Sequence, residues 1–248
     1  MAKSKNLKGL AVNQYFDPVG HLLYVKEVAE RMAGFVPRHC PICSYTGKFK
    51  AFGHPPRYDA LCRGCGALER HRLLHMAFEA EGIPAKGSRV IHFAPEQIIA
   101  RLLRDRGVDY KSADIVPGRA DLTLNLEALD LPDGGVDVAV ANHVLEHVDD
   151  GKALAELHRV LAPGGALIVT VPIVEGWDQS YENETVTGPE DREVHFGQWD
   201  HVRYYGRDLR RRMEAAGFKL KEFVASGQDT VEYGLVRGER VFIGRKPA

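Results

Sequence analysis

The sequence predicts an α/β chain: a doubly wound parallel sheet preceded by a small cysteine-rich module. Three observations carry the prediction. Residues 136–148 open as an apolar run, a helical stretch follows, and residues 159–172 hold a second apolar run. Strand, helix and strand in this form make the βαβ unit of a parallel sheet covered on both faces. Polar groups (Asn142, His143, Glu146 and His147) cluster where the first of these strands ends, which is where ligands bind in an open α/β sheet. The third observation is that all four cysteines fall in two C-x2-C pairs near the N-terminal side.

At 248 residues and 44% hydrophobic content, the chain can form one doubly wound domain with a small appendage, and a disordered chain is excluded. The expected organisation is an N-terminal helical segment and zinc ribbon over residues 1–80, then the main domain over 81–248 with an inserted lid at about 175–205. Residues 1–20 lack the apolar stretch of a signal peptide, and no later run reaches membrane-spanning length. The expectation is a soluble cytoplasmic protein with no membrane partner. The net charge of −1 gives no case for a polyanion, although residues 1–75 hold twelve Lys/Arg against five Asp/Glu. Those positive residues are scattered, so a solvated basic face is favoured over a nucleic-acid surface, which stays open.

Taken in order, residues 15–34 have helical apolar spacing, including Leu22, Leu23, Val25, Val28 and Met32. Cys40, Cys43, Cys62 and Cys65 follow, with eighteen residues between the pairs. Two residues between cysteines form a tight knuckle that turns both sulfurs to one point, and two knuckles supply the tetrahedral thiolate shell that Zn²⁺ favours. Gly64 and Gly66 suit such a turn. A closed four-thiolate shell leaves no open coordination position, so the zinc is expected to be structural. Residues 67–78 read as a helix, whose Arg70, His71, Arg72 and His75 either reach a substrate or form a polar face. Residues 88–93 read as the first strand of the main domain and residues 95–106 as its helix, with Pro95 in the first turn. Residues 110–115 read as a second strand ending in Asp114, placed to accept hydrogen bonds from ribose hydroxyls. Two further strands, residues 219–226 and 239–245, close the chain.

The wording of residues 136–165 closely resembles the class I S-adenosylmethionine-dependent methyltransferases of the small-molecule type (type 11-like), whose fourth strand reads FDxV, then LEHV, then a helix ending in RVLxPGG. The resemblance covers roughly residues 88–248. It implies a seven-stranded Rossmann-like methyltransferase sheet in the order 3-2-1-4-5-7-6, ending in an antiparallel hairpin, with S-adenosyl-L-methionine as cofactor. The family's first loop reads acidic-x-G-x-G. Here it is His92-Phe93-Ala94-Pro95-Glu96, with alanine and glutamate in place of both glycines and His92 at the acidic position. Two readings stand: Ala94 keeps the loop's course while Glu96 meets the cofactor's ammonium, or the cofactor site is lost. The first is favoured, because Asp114 and Ile115 remain in register for the ribose and Asn125 and Leu126 for the adenine, with Glu127 a rival. Asn142 and His143 complete the implied cofactor set.

The insertion after the fifth strand covers the acceptor in this family. Its F-G-Q-x-D-H-V-R wording and the H-F-A-P-E loop resemble a bacterial group of zinc-ribbon-bearing methyltransferases. Proton removal from a hydroxyl or protonated amine needs a base, for which His is suited. The candidates are His201, with Asp200 orienting it and Arg203 holding an anionic acceptor, then His195, His147 and His143. Asp200, His201 and Arg203 equally fit a network that only pins the lid. The leading expectation is methyl transfer to a small-molecule acceptor such as a sugar or peptide-derived metabolite. The alternatives are an RNA methyltransferase that reads RNA with its ribbon, and a non-catalytic binding protein on a methyltransferase scaffold. The oligomeric state is not legible.

Overall fold

The computed structural model describes residues 18–248, so residues 15–17 of the expected first helix lie outside the described residues. The chain divides into two compact units. One holds the described residues up to Glu69 together with Gln228–Leu235, and the other holds Arg70–Gly227 and Val236–Ala248.

In the first unit, α1 (Pro18–Met32) precedes two antiparallel ribbons. Strand β1 (Pro37–His39) pairs with β2 (Thr46–Lys48), and β3 (Lys50–Phe52) pairs with β4 (Arg57–Leu61). Each cysteine pair sits in a tight turn closed by one backbone bond of 2.9 Å, from Ser44 N–H to Cys40 O and from Gly66 N–H to Cys62 O. The residue after each second cysteine is left-handed, Ser44 at φ 59° and Gly66 at φ 77°. Gly64 is required by space: a Cβ there would lie 2.8 Å from Tyr45 Cβ and 3.0 Å from Cys43 Sγ. The segment 228–235, which comes from the far end of the chain, joins this unit through Arg38. Its guanidinium donates to the Val231 carbonyl and pairs with Asp59 at 3.2 Å.

In the second unit the chain runs through α2 (Glu69–Glu81), β5 (Arg89–Phe93), α3 (Gln97–Asp105), β6 (Asp109–Asp114), β7 (Leu122–Thr123), β8 (Val136–Asn142), α4 (Asp150–Val160) and β9 (Leu161–Thr170). Then come β10 (Tyr181–Glu182), α5 (Pro189–Phe196), β11 (Arg203–Tyr204), α6 (Leu209–Ala215), β12 (Lys219–Val224) and, after α7 (Gly227–Glu232), which apart from Gly227 belongs to the first unit, β13 (Arg240–Arg245). Seven of these strands form one sheet, ordered β12-β13-β9-β8-β5-β6-β7. The order is the 3-2-1-4-5-7-6 expected from the wording, read from the other edge. Neighbours are parallel from β7 to β9, and β13 runs antiparallel to both β9 and β12. The expected final hairpin is present, but α7 separates its strands.

Burial explains why β8 and β9 are apolar without alternation: Ala139, Val140, Ala141, Ala166, Leu167 and Val169 are fully buried, as a strand covered on both faces requires. Helix α4 is capped by Asp149, whose side chain accepts the Lys152 N–H at 3.1 Å. It buries Ala153, Leu154, Leu157 and Val160 against the sheet's core. Among the described residues, no helix is long and apolar enough to cross a membrane.

His92 belongs to this core. It has no exposed surface, its Nδ1 lies 3.1 Å from the Tyr110 hydroxyl, and burial pushes its pKa down to about 4. The unfolded chain therefore takes up a proton near pH 6.5, well before the folded chain does. Stability contributed by the neutral ring is intact above pH 6.5 and is lost as pH falls towards 4. The expected loss is about 2–3 kcal/mol between pH 7 and 4.5. Urea unfolding at the two pH values checks this, and His92→Gln should lose most of the pH dependence. An equal pH dependence in the variant would show that another group carries it.

Candidate functional site

The carboxyl ends of the central strands open on a cleft of about 650 Å³. The parallel register sets its floor: Phe93 on β5 stands opposite Ala113 on β6, and His92 stands opposite Val140 on β8. The chain leaves these strands at one level, and Ala94, Asp114 and His143 line the cleft together with Ile115, Asn125 and Leu126.

Two cleft residues hold strained backbone. Ala94 has φ 46° and His143 has φ 51°, a region that costs an L-residue roughly 1–2 kcal/mol. Each is fixed by a backbone bond across the sheet, from Ala94 N–H to Ala113 O at 2.9 Å and from His143 N–H to Thr170 O at 2.8 Å. Ala94 thus adopts the course a glycine would give, and strain of this kind clusters at functional sites. His143 Nδ1 is 3.3 Å from Glu146 Oε1, and its Nε2 is buried with no partner among the described residues.

The remaining side chains are set by local turns. Asp114 Oδ1 accepts the Val116 N–H at 2.8 Å, which orients the carboxylate. Asn125 Oδ1 accepts the Glu127 N–H at 3.0 Å. The rival Glu127 instead accepts the Asp149 N–H at 2.9 Å and is not part of the cleft wall.

Three expected cofactor residues lie elsewhere. His92 is in the core. Asn142 is buried, with its Oδ1 accepting the Thr170 hydroxyl at 3.2 Å. Glu96 turns to α2, where Arg70 Nε and His71 Nε2 each stand 3.0 Å from its Oε1. Burial would raise the Glu96 pKa, but His71 and Arg70 outweigh it and hold it at about 2. Glu96, Arg70, His71, Asn142 and Thr170 line a narrow crevice of their own. The Arg70 guanidinium and the His71 ring N–H explain the turn: an anion finds stronger partners on α2 than in an open cleft.

The long insertion folds into β10, α5 and β11. It contributes Arg192, Trp199 and Asp200 to the cleft, and His147 and Val148 line it from the turn after β8. Asp200 does serve an imidazole, but the ring 3.3 Å from its Oδ2 is that of His147 rather than His201. His201 is buried away from the cleft wall, with Nδ1 3.1 Å from the Phe196 carbonyl and its ring edge-on to His147 at 4.7 Å. Burial lowers its pKa, so it is a neutral ring. His195 faces Tyr181, whose hydroxyl is 2.6 Å from its Nδ1, and does not line the cleft. Arg203 is a lid anchor. It donates to the Leu145 and Val148 carbonyls at 2.7 and 2.6 Å and to Glu182 at 2.5 Å, and it stands 3.7 Å from Asp150. Arg119, Arg192 and Trp199 also line the cleft, beyond the residues singled out from the sequence. For Trp199 the aromatic density of the insertion was a signal; the two arginines carried none.

In the first unit the four cysteine sulfurs lie within 4.8 Å of one another, with Cys40 to Cys65 and Cys43 to Cys62 both at 3.7 Å. No two are bonded. A tetrahedral ion with thiolate bonds of about 2.3 Å requires sulfurs about 3.8 Å apart, so the donor set fits zinc.

The sequence profile of a methyltransferase domain matches residues 27–222. The chain is 32% identical over 177 residues to an uncharacterized 37.1 kDa protein in transposon Tn4556 of Streptomyces fradiae, over 68% of this chain and 46% of that one. It is 29% identical over 178 residues to the ubiquinone/menaquinone biosynthesis C-methyltransferase of Pasteurella multocida, over 68% of this chain and 66% of that one. A probable S-adenosylmethionine-dependent methyltransferase of Mycolicibacterium smegmatis is 29% identical over 123 residues, 47% of this chain and 44% of that one. The chain thus spans about half to two thirds of the length of these curated relatives. Among solved structures, 1,6-didemethyltoxoflavin-N1-methyltransferase of Burkholderia thailandensis overlaps with a TM-score of 0.49 and 18% identity, over 72% of this chain and 78% of that one.

The anchoring role of Arg203 is testable without knowing a substrate. Arg203→Ala leaves the Val148 carbonyl without its donor and removes one partner each from Leu145 O, Glu182 and Asp150, which keep Tyr205 or Arg212, and should lower the unfolding free energy by about 1–3 kcal/mol. Denaturant unfolding measures it. A change within about 0.5 kcal/mol, the size of an ordinary surface substitution, would show that the lid is held by other contacts.

Proposed function

The chain belongs to the methyltransferase domain family, and from that premise we propose that the cleft binds S-adenosylmethionine and delivers its methyl group to a small-molecule acceptor beneath the inserted lid. The observation that carries the reading is that Ala94, Asp114, Asn125, Leu126 and His143, contributed by four separate segments, share one cleft. Asp114 keeps a carboxylate oxygen beyond the one turned to Val116 and is suited to the ribose hydroxyls. Ile115, Val116 and Leu126 offer apolar flanks to the adenine, with the polar Asn125 beside them. The left-handed Ala94 supports retention of the cofactor, since the missing glycines were the motive for a non-catalytic reading.

When bound, the cofactor supplies an electrophilic methyl carbon on a sulfonium that leaves as a neutral thioether. The protein's tasks are to align the acceptor, exclude water and take a proton. His143 is the base we assign. Glu146 accepts from its Nδ1 and leaves Nε2 as the free lone pair, and the strained backbone fixes the ring at the cleft wall. His201 is too enclosed for that task, and Arg203 is already committed. A cleft of about 650 Å³ falls in the range of small-molecule sites, and the cofactor takes a large share of it. A compact acceptor follows.

Calorimetry with S-adenosylmethionine tests the cofactor reading, which absence of binding would sink. Asp114→Ala should keep the fold and weaken binding roughly ten- to over a hundredfold, because the lost hydrogen bonds involve a charged group.

The cysteine cluster is proposed to hold a structural zinc. Dialysed protein should retain a tightly bound equivalent of zinc by elemental analysis. Cys62→Ser should lose it and expose the first unit to proteolysis, because the binding energy of a structural zinc is largely folding energy. A zinc-free protein with a protease-resistant first unit would refute this.

A further inference from the structure

Behind the cleft wall, Glu146, His147 and His201 offer a carboxylate oxygen and two imidazole nitrogens within 4.8 Å of one another. We propose that these three residues hold a divalent first-row transition-metal ion at the acceptor side of the cleft. Nothing in methyl transfer from a sulfonium requires such an ion, and the site is separate from the four-cysteine cluster.

The carboxylate carries the argument. Glu146 has no exposed surface, its Oε1 faces His143 Nδ1 at 3.3 Å, and its Oε2 is buried with no partner among the described residues. A buried carboxylate oxygen without a donor is expensive, and a cation satisfies it. The imidazoles are prepared in the same sense. His201 Nδ1 is backed by the Phe196 carbonyl at 3.1 Å and His147 Nδ1 by Asp200 Oδ2 at 3.3 Å. The Phe196 carbonyl holds the proton on His201 Nδ1 and leaves its Nε2 as the ligand atom, which is how metal-binding histidines are oriented, and Asp200 is close enough for a small rotation of the His147 ring to do the same there.

Two histidines and one carboxylate with open positions suit Fe²⁺, Co²⁺, Mn²⁺ or Zn²⁺ rather than Mg²⁺ or Ca²⁺. Bonds of about 2.1 Å need donors about 3–4 Å apart, so small side-chain rotations close the site. His147 lines the cleft, and an ion that it shares with Glu146 and His201 would be reached from there by an acceptor bearing two adjacent oxygens, such as a vicinal diol or a hydroxy-carbonyl group. The ion site does not rest on the methyltransferase reading; only the nature of the occupant of its open positions does.

Protein with its cysteine site loaded with zinc is titrated with Co²⁺ in the absence of S-adenosylmethionine, so failure here is distinct from failure to bind the cofactor. The expected result is one further Co²⁺ per chain, with weak d–d absorption and no thiolate-to-cobalt charge transfer. Glu146→Gln and His147→Ala should each weaken that equivalent at least tenfold, while His195→Ala, outside the cluster, leaves it unchanged. Absence of a second equivalent overturns the proposal, and so does equal affinity in folded Glu146→Gln. Should Glu146→Gln fail to fold, the partly exposed His147→Ala decides in the same two directions.

Discussion

The site depends on one constraint: β6, β5 and β8 pair in parallel and release the chain at the same level. Parallel neighbours share direction, so their carboxyl ends meet on one edge, where Ala94, Asp114 and His143 follow from the registers Phe93 with Ala113 and His92 with Val140. The pairing rests on the burial of β8 and of most of β5 on both faces, while β6 is buried only towards its carboxyl end at Ser112 and Ala113. A one-residue slip of β8 would turn every one of its side chains to the opposite face, moving His143 and Glu146 out of the site together.

The lid is tied to the same edge. Arg203 reaches the Leu145 and Val148 carbonyls, which belong to the turn leaving β8, and the Tyr205 hydroxyl donates to Asp150 Oδ2 at 3.0 Å at the start of α4. The Val202 N–H donates to the Glu146 carbonyl at 2.9 Å. The insertion is therefore fastened to the backbone around Glu146 at several points. That fastening brings Asp200 to His147 and His201 to the far side of His147. The two carboxylates and three imidazoles form a contiguous cluster because two chain segments meet there, although they lie more than fifty positions apart in the sequence.

Much of this was legible in the residues. The central strands are readable because burial on both faces leaves continuous apolar runs, and Asp114, Asn125 and His143 are readable because a site must lie just past such runs. The sheet order followed from the family wording. The partner choices inside the lid were not legible. Asp200 and His201 are adjacent in sequence, yet adjacency says nothing about which imidazole a folded loop brings to a carboxylate, and His147 comes from another element. Nor could spacing reveal that residues 228–235, between two paired strands, join the cysteine-bearing unit through Arg38 and Asp59.

The altered first loop shows how a fingerprint can change while the geometry persists. Glycine takes a left-handed backbone at little cost, and Ala94 adopts that conformation, φ 46°, at a cost of order 1–2 kcal/mol. The cost is local and is opposed by the bond from Ala94 N–H to Ala113 O and by the burial of Phe93 beside it. A residue larger than alanine would add a branched or long side chain to that strain. Glutamate at position 96 is a different kind of change, since it starts α3 without capping it. Its charge is answered by the Arg70 guanidinium and the His71 imidazole on the helix before the sheet, two donors that a glycine at position 96 would leave without that partner. The loop and α2 are therefore one unit of design: the carboxylate at 96 and the donors at 70 and 71 each explain the presence of the other.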